Sequence, residues 1–90
     1  MSGSLSGAGA AVNYNINVTN SAYPISVTMV MPTWSSVDFD VYLYNPSGTR
    51  VALSEGATRQ ETIGYRPPAT GTYRLEVRSY SGSGSYFAVA

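Results

Sequence analysis

The sequence predicts an all-β fold, an antiparallel two-sheet β-sandwich or small jelly roll of about seven strands. Three observations support this prediction. Apolar and polar residues alternate with a period of two along most of the 90-residue chain, and no long window shows the helical period of 3.6. The alternating runs are short and are separated by Gly, Pro, Asn and Ser. A single sheet of this size would leave a face uncovered, so two sheets packed face to face are the economical arrangement.

The first three predicted strands carry the clearest alternation. They cover residues 12–19, 25–31 and 37–44, and the second lies between Pro24 and Pro32, where a hydrogen-bond ladder has to begin and end. Successive side chains of a strand point to opposite faces, so one face of each run is predicted to contact the core. The predicted core-facing residues are Val12, Tyr14, Ile16, Val18, Ile25, Val27, Met29, Met31, Val37, Phe39, Val41 and Leu43.

Four further strands are predicted in the second half of the chain, at residues 50–54, 60–66, 72–80 and 86–90. The segment Asn-Pro-Ser-Gly before the first of them and the segment Pro-Pro-Ala-Thr-Gly between the second and the third are turn signals, because Pro presets φ and Gly tolerates positive φ. The inward face of the last strand is not assigned. Tyr73 follows a turn, so its hydroxyl is expected to bond back to the backbone, as in the tyrosine corner of sandwich domains. The predicted core-facing residues are Val51, Leu53, Ile63, Tyr65, Tyr73, Leu75 and Val77.

The first ten residues differ in composition from the rest of the chain. They are rich in Ser and Gly and contain neither a basic residue nor an apolar run, so they do not match a signal peptide. We interpret residues 1–10 as a flexible linker and residues 11–90 as a single β-sandwich domain. No later stretch is long and apolar enough to cross a bilayer. A composition rich in Ser, Thr, Asn and Tyr and without Lys favours a secreted, extracellular protein.

Charge and residue types exclude several classes of function. Only 11% of the residues are charged and the formal net charge is zero, so the chain has no long-range attraction for nucleic acid or for an anionic membrane. It contains no Cys and no His, which excludes an internal zinc site, a thiol nucleophile and a Ser-His-Asp relay. We therefore predict that the chain is not an enzyme.

Two stretches of the chain carry a family resemblance. Residues 37–54, VDFDVYLYNPSGTRVALS, combine alternating Asp and apolar residues with a Tyr-rich strand end and a Pro-Ser-Gly turn. Residues 61–90 add an aromatic-Pro turn, a Thr-Gly-Thr-Tyr strand entry and a closing Gly-Ser-Tyr strand. In these features the chain resembles the bacterial pre-peptidase C-terminal domain family.

The resemblance implies a calcium-associated β-sandwich attached to a secreted peptidase, whose catalytic domain is then its partner. Such modules are cleaved off after secretion, or are retained to hold substrate or to stabilise the enzyme. They are similar in fold to the collagen-binding modules of collagenases. The calcium site of these relatives relies on acidic residues in the N-terminal linker, and this chain has no carboxylate before Asp38.

Asp38 and Asp40 are the one close pair of carboxylates that strand geometry fixes. Being two residues apart on one strand, they share a face at roughly 6.5–7 Å between Cα atoms. One interpretation is that they keep a solvent-facing strand soluble or meet Arg74 or Arg78 across the sheet. The alternative is a calcium site completed by further oxygens, such as that of Asn45 or backbone carbonyls. We expect no resident metal or other cofactor, with calcium as the open alternative.

Four aromatic residues are candidate ligand-binding residues. Tyr42, Tyr44 and Tyr80 fall on the non-core face of their predicted strands, and Trp34 lies in the loop after Pro32. Binding surfaces are enriched in Tyr and Trp, and a flat aromatic strip suits an extended ligand such as a polysaccharide or a collagen-like chain. The alternative is structural, because Tyr is a favoured β residue that packs across strands.

These observations together predict a non-catalytic, monomeric, extracellular accessory module of a secreted peptidase. It would bind an extended protein substrate, collagen-like or otherwise insoluble, or assist maturation and stability of the parent enzyme. Two alternatives remain open at this point. One is a carbohydrate-binding module of a secreted glycoside hydrolase that uses Trp34 and the tyrosines. The other is a structural spacer of a surface protein, which would have no ligand.

Overall fold

The computed structural model describes residues 1–32, 37–56 and 60–90, and it confirms the predicted all-β sandwich. Eight strands lie within these residues, one more than the sequence predicts. None of the described residues belongs to a helix, so a helix that could cross a membrane is not found among them. The strands are β1 (Ser2–Leu5), β2 (Ala11–Val18), β3 (Ile25–Val30), β4 (Asp38–Tyr44), β5 (Arg50–Ser54), β6 (Gln60–Tyr65), β7 (Gly71–Ser81) and β8 (Gly84–Val89).

The strands form two four-stranded antiparallel sheets. Sheet I has the strand order β1-β8-β3-β6, and sheet II has the order β2-β7-β4-β5. Their inner faces bury a common apolar core, in which Val27 and Met29 of sheet I and Phe39, Leu75 and Val77 of sheet II have no exposed surface. The core-facing residues predicted for β3, β4 and β7 are confirmed. Those predicted for β2 are half-buried and pack against the same core.

Three tyrosine hydroxyls at the core form hydrogen bonds. Tyr73 donates to the carbonyl oxygen of Ala69 at 3.1 Å, which confirms the predicted bond from this side chain back to its own turn. The hydroxyls of Tyr14 on β2 and Tyr86 on β8 lie 2.5 Å apart and hydrogen-bond to each other. Since β2 and β8 belong to different sheets, this bond ties the sheets together across the core.

The start of the chain differs from the flexible linker predicted for residues 1–10. Residues Ser2–Leu5 form β1, which pairs antiparallel with β8, and the side chain of Leu5 is buried in the core. Gly3 permits the close approach, because a Cβ atom at this position would lie 2.5 Å from the hydroxyl oxygen of Tyr86. A Ser/Gly-rich run has no apolar alternation, so the sequence pattern gave no signal for this strand.

The inward side of β5 differs from the prediction at one residue. Leu53 is 43% exposed, whereas Ala52 packs against the core. The cause is a register shift: Leu43 pairs with Ala52, but the next residue, Tyr44, pairs with Arg50. A bulge inserts an extra residue on one strand and changes which side chains face inward, so the prediction that Leu53 faces the core is wrong.

Candidate functional site

An acidic cluster lies at the edge of the sandwich where β5 ends. Asp38 and Asp40 belong to β4 of sheet II, and Glu61 belongs to β6 of sheet I. One carboxylate oxygen of each residue lies within 4.8 Å of those of the other two. In the described part of the chain, β5 pairs with β4 only as far as the Val41–Ser54 pair. The next strand, β6, belongs to sheet I and places Glu61 beside the end of β4 that does not pair with β5.

The cluster is more buried than the sequence predicts. Asp40 is 4% exposed and Glu61 is 3% exposed, while Asp38 is half-buried. The alternation placed Asp40 correctly on the non-core side of its strand, but the prediction that this side faces solvent is wrong there. The chain after Ser54 folds over it, and the backbone N–H of Gly56 hydrogen-bonds to the Asp40 carboxylate.

Several carboxylate oxygens of the cluster are unpaired. Asp38 Oδ1, Asp40 Oδ1 and Glu61 Oε1 are buried and have no hydrogen-bond partner within the described part of the chain. The second oxygen of Glu61 accepts a hydrogen bond from the hydroxyl of Ser54. Burying a carboxylate without a full set of partners is costly, because the lost hydration is not replaced. Three such groups beside one another therefore need an explanation.

Burial and the neighbouring negative charges raise the pKa values of Asp40 and Glu61. The pKa of Asp40 rises from 3.8 to about 6, chiefly because burial disfavours the charged form and then because of the negative charge of Asp38. The hydrogen bond from Gly56 acts in the opposite direction. Burial also raises the pKa of Glu61, and the hydrogen bond from Ser54 opposes that rise. At neutral pH these carboxylates repel one another.

The predicted partners of the aspartates lie elsewhere. Arg78 is opposite Asp40 in the β4–β7 register, but its guanidinium pairs with Glu76 at 3.2 Å. Arg74 donates to the side-chain oxygen of Asn13 at 2.5 Å. Asn45, proposed above as a further calcium ligand, uses its side-chain oxygen to hold the turn at the opposite end of β4. Neither the arginine pairing nor the Asn45 ligand is therefore found at the cluster.

An open depression beside the cluster contains Tyr80. It has a volume of about 330 Å³ and is lined by Asp38, Asp40, Glu55, Gly56 and Tyr80. Tyr80 is 73% exposed, so its ring is accessible at the rim of the acidic cluster. Of the predicted ligand-binding tyrosines, it is the one with a largely free ring.

Tyr42 is built into the outer face of sheet II. It is 8% exposed, and its hydroxyl donates to a carboxylate oxygen of Glu55 at 2.5 Å. That hydrogen bond is the main cause of the raised pKa of Tyr42, with burial second. The guanidinium of Arg50 lies 5.4 Å from the centroid of the Tyr42 ring, a distance typical of cation–π contacts. The ring has little surface left for a ligand.

Tyr44 is held in a similar way two residues further along β4. Its hydroxyl donates to Glu76 Oε1 at 3.0 Å, and the guanidinium of Arg74 lies 4.1 Å from its ring centroid. Burial, followed by the bond to Glu76, raises the pKa of Tyr44. The predicted aromatic strip is thus divided between two packed tyrosines and the exposed Tyr80. Its fourth member, Trp34, lies outside the described residues.

The outer face of sheet I is a second, chemically different surface. Val30 and Phe87 are opposite each other on β3 and β8, and Val89 is opposite Thr28. Val30 is 40%, Phe87 52% and Val89 56% exposed. Beside them an open cavity of about 630 Å³ extends to β1, and its lining includes Ser2, Ser4, Val30, Pro32, Ser85 and Phe87. Within the described strands, every residue on this face is uncharged: Ser2, Ser4, Ser26, Thr28, Val30, Gln60, Thr62, Gly64, Ser85, Phe87 and Val89.

Sequence reasoning missed two parts of these surfaces. Glu61 was not singled out, although it precedes the inward-facing Ile63 by two residues and therefore shares its side of β6. That spacing was the available signal for a buried acid. The faces of β8 were left unassigned, because Phe87 and Val89 are apolar on the side that the structure exposes.

Comparison with known families identifies one relationship. The model of the family described as bacterial pre-peptidase C-terminal domain matches residues 12–79, well over half of the chain. The match begins in β2 and ends within β7, so it includes all three members of the acidic cluster. The β1 and β8 strands of sheet I lie outside the matched residues.

Proposed function

Because this chain belongs to the bacterial pre-peptidase C-terminal domain family, we propose that it is a non-catalytic accessory module of a secreted peptidase that holds an extended protein substrate. Family membership associates the chain with a parent peptidase domain. The observation that carries the binding role is the uncharged, partly apolar outer face of sheet I. The module acts as a monomer outside the cell, and retaining substrate near the catalytic domain is its contribution to the parent enzyme.

Three exposed side chains on this face form one apolar group. Val30 and Phe87 are direct cross-strand neighbours, and Val89 follows on the same side of β8. Adjacent exposed apolar side chains on a small soluble domain mark interaction surfaces more often than isolated ones do. An aromatic ring flanked by valines gives a partner both contact area and a central anchor.

The edge of the same sheet suits an extended partner. Within the described chain β1 pairs on one side, with β8, and the cavity next to Phe87 reaches β1. An edge strand presents backbone N–H and C=O groups that can add a further strand. An extended protein segment with uncharged side chains would pair with this edge and lay its apolar groups against Phe87. A charged segment would lose hydration there without gaining an ionic partner.

The test is retention of the purified chain on insoluble collagen, elastin and keratin. Phe87→Ala should weaken retention about tenfold, since an exposed aromatic anchor is removed. Tyr80→Ala is the matched control, because it removes an exposed aromatic ring from the other sheet; retention should be unchanged. Loss of retention with Tyr80→Ala but not with Phe87→Ala would overturn the assignment to sheet I.

Two further measurements separate the remaining functions. Retardation by chitin, cellulose or xylan in affinity electrophoresis, abolished by Tyr80→Ala, would replace the proposal with the carbohydrate-binding alternative. Deleting the module from the parent peptidase tests the role in maturation and stability through the yield of folded enzyme. No retention on any protein matrix, together with a normal yield after deletion, would overturn the accessory role itself.

A further inference from the structure

We propose that Asp38, Asp40 and Glu61 bind a divalent cation, calcium by the chemistry of the donors, and that this cation joins sheet I to sheet II at the edge where β5 ends. The inference goes beyond the proposed accessory role and does not depend on it. It concerns the described residues of this chain alone and uses no residue before Asp38. The ligand set therefore differs from the linker-dependent calcium site that the family resemblance implies.

The spacing of the three carboxylates fits a single ion. Calcium is bound at about 2.3–2.6 Å from each ligand oxygen, so two oxygens on one ion are at most about 5.2 Å apart. One carboxylate oxygen of each of Asp38, Asp40 and Glu61 lies within 4.8 Å of those of the other two. Small rotations of the side chains are therefore enough for one ion to contact all three, and the strands that carry them need not move.

The burial of the unpaired oxygens is an independent observation that points to a ligand. Asp40 and Glu61 are both more than nine-tenths buried, and each has an oxygen without a hydrogen-bond partner in the described part of the chain. Buried carboxylates in native proteins are paired or coordinate metals. The arginine opposite Asp40 is engaged with Glu76, and no arginine of the described residues forms an ion pair with the cluster. A cation from solution would supply the missing charge partner.

The donor atoms select the class of cation. All three ligands are carboxylate oxygens, which hard cations such as calcium and magnesium prefer, and the chain has neither the imidazole nor the thiolate ligands that favour zinc or copper. Calcium accepts six to eight oxygens in irregular geometry, whereas magnesium requires a near-ideal octahedron at about 2.0–2.1 Å. Ligands from two strands in two different sheets suit the less demanding ion. The open depression lined by Glu55, Gly56 and Tyr80 leaves room for water to complete its shell.

The position of the site gives the cation a structural role. Asp38 and Asp40 belong to sheet II, and Glu61 belongs to sheet I, so an ion bound to all three connects the sheets. The opposite side of the sandwich already has such a connection, the hydrogen bond between Tyr14 and Tyr86. The cation supplies the corresponding connection at the β5–β6 edge, where the carboxylates would otherwise repel one another.

The test is thermal unfolding and calorimetric titration of the whole chain after removal of divalent cations with a chelator. Calcium chloride should bind with a stoichiometry of one and raise the Tm, by roughly 10 °C when calcium is a hundredfold above its Kd. Glu61→Gln and Asp40→Asn should each abolish this rise. Glu76→Gln is the matched control, because it alters a buried carboxylate that has its own partners, and its Tm should still rise with calcium.

Three results would overturn the inference. The first is no heat of binding and no change in Tm at millimolar calcium. The second is a full calcium response in both Glu61→Gln and Asp40→Asn, which would place any bound ion elsewhere. The third is an equal rise in Tm with magnesium chloride at the same concentration, which would remove the assignment to calcium. None of these measurements involves a protein or carbohydrate ligand, so failure here is distinct from failure of the proposed function.

Discussion

Sheet II carries buried carboxylates in two regions, its middle and its edge, and the hydrogen bonding of these carboxylates differs between the two. In the middle of the sheet, Glu76 accepts a hydrogen bond from Tyr44 on one oxygen and one from Arg78 on the other. At the edge, Asp40 faces Asp38 and Glu61, and each of the three has an oxygen without a partner in the described chain. All of these side chains except that of Asp38 are more than nine-tenths buried.

The difference follows from which side chains lie beside each carboxylate. Glu76 is on the central strand β7, where Tyr44 of the neighbouring strand β4 and Arg78 of β7 itself donate to it. The end of β4 that carries Asp40 has lost β5, whose pairing reaches only the Val41–Ser54 pair in the described residues. The carboxylate in the middle of the sheet has a donor on each oxygen, whereas each carboxylate at the edge has one oxygen without a donor among the residues that the structure describes.

Among the substitutions that test this comparison, removal of Glu76 should cause the largest decrease in the free energy of unfolding. Glu76→Ala leaves the hydroxyl of Tyr44 and the guanidinium of Arg78 without their acceptor, and it should lower the free energy of unfolding by about 2–3 kcal/mol. Urea denaturation monitored by tyrosine fluorescence measures the change. Glu76→Gln keeps an acceptor for Tyr44 and should cost less than half as much. A loss below about 0.5 kcal/mol in Glu76→Ala would show that the central network contributes little to stability.

Acidification should stabilise the folded chain through the carboxyl groups at the edge of the sheet. A carboxyl whose pKa is higher in the folded chain than in the unfolded chain holds its proton more tightly when folded. The pKa of Asp40 is raised from 3.8 to about 6, so this contribution to stability is present in full below about pH 4 and is lost as pH rises through about 6. In chelator the loss should approach about 3 kcal/mol, since the pKa rises from 3.8 to about 6 and one pKa unit corresponds to about 1.36 kcal/mol.

The measurement is a series of urea denaturation curves between pH 4 and pH 7 in chelator. The negative charges of Asp38, Glu61 and Glu55 raise the pKa of Asp40, and those of Asp38 and Glu55 raise the pKa of Glu61. The change of stability with pH therefore reflects these neighbouring carboxyl groups together and not Asp40 alone. Asp40→Asn should flatten the profile and be more stable than the unmodified chain at pH 7. A stability that rises from pH 4 to pH 7 in chelator, with the same slope in Asp40→Asn, would contradict this expectation.

The sequence was sufficient for the features that depend on local alternation. The positions of the strands from β2 to β8, the inward side of β4 and the bond made by Tyr73 all follow from a period of two and from one turn. It also placed Asp38 and Asp40 together on one side of their strand. Each of these features involves residues that are close in the chain, so sequence spacing alone determines their geometry.

The features that were missed depend on contacts between distant segments. Alternation states which side of a strand a residue occupies, but not what covers that side, so the burial of Asp40 and Tyr42 was not predicted. The approach of Glu61 needs the crossing from sheet II to sheet I, and the exposure of Leu53 needs the bulge opposite β4. β1 is held by its pairing with β8 rather than by any pattern of its own.

The smallest expected effect concerns Glu55, which repeats the chemistry of Glu76 at the surface. Glu55 accepts a hydrogen bond from Tyr42, just as Glu76 accepts one from Tyr44, but the Glu55 side chain is exposed. Water can replace the lost acceptor, and removing this charge also relieves its repulsion of Asp40. Glu55→Ala should therefore change the free energy of unfolding by less than about 0.5 kcal/mol at pH 7 in chelator. If Glu55→Ala cost as much as Glu76→Ala in the same denaturation assay, then burial would not be what separates the two carboxylates, and the contrast between the middle and the edge of sheet II would need another cause.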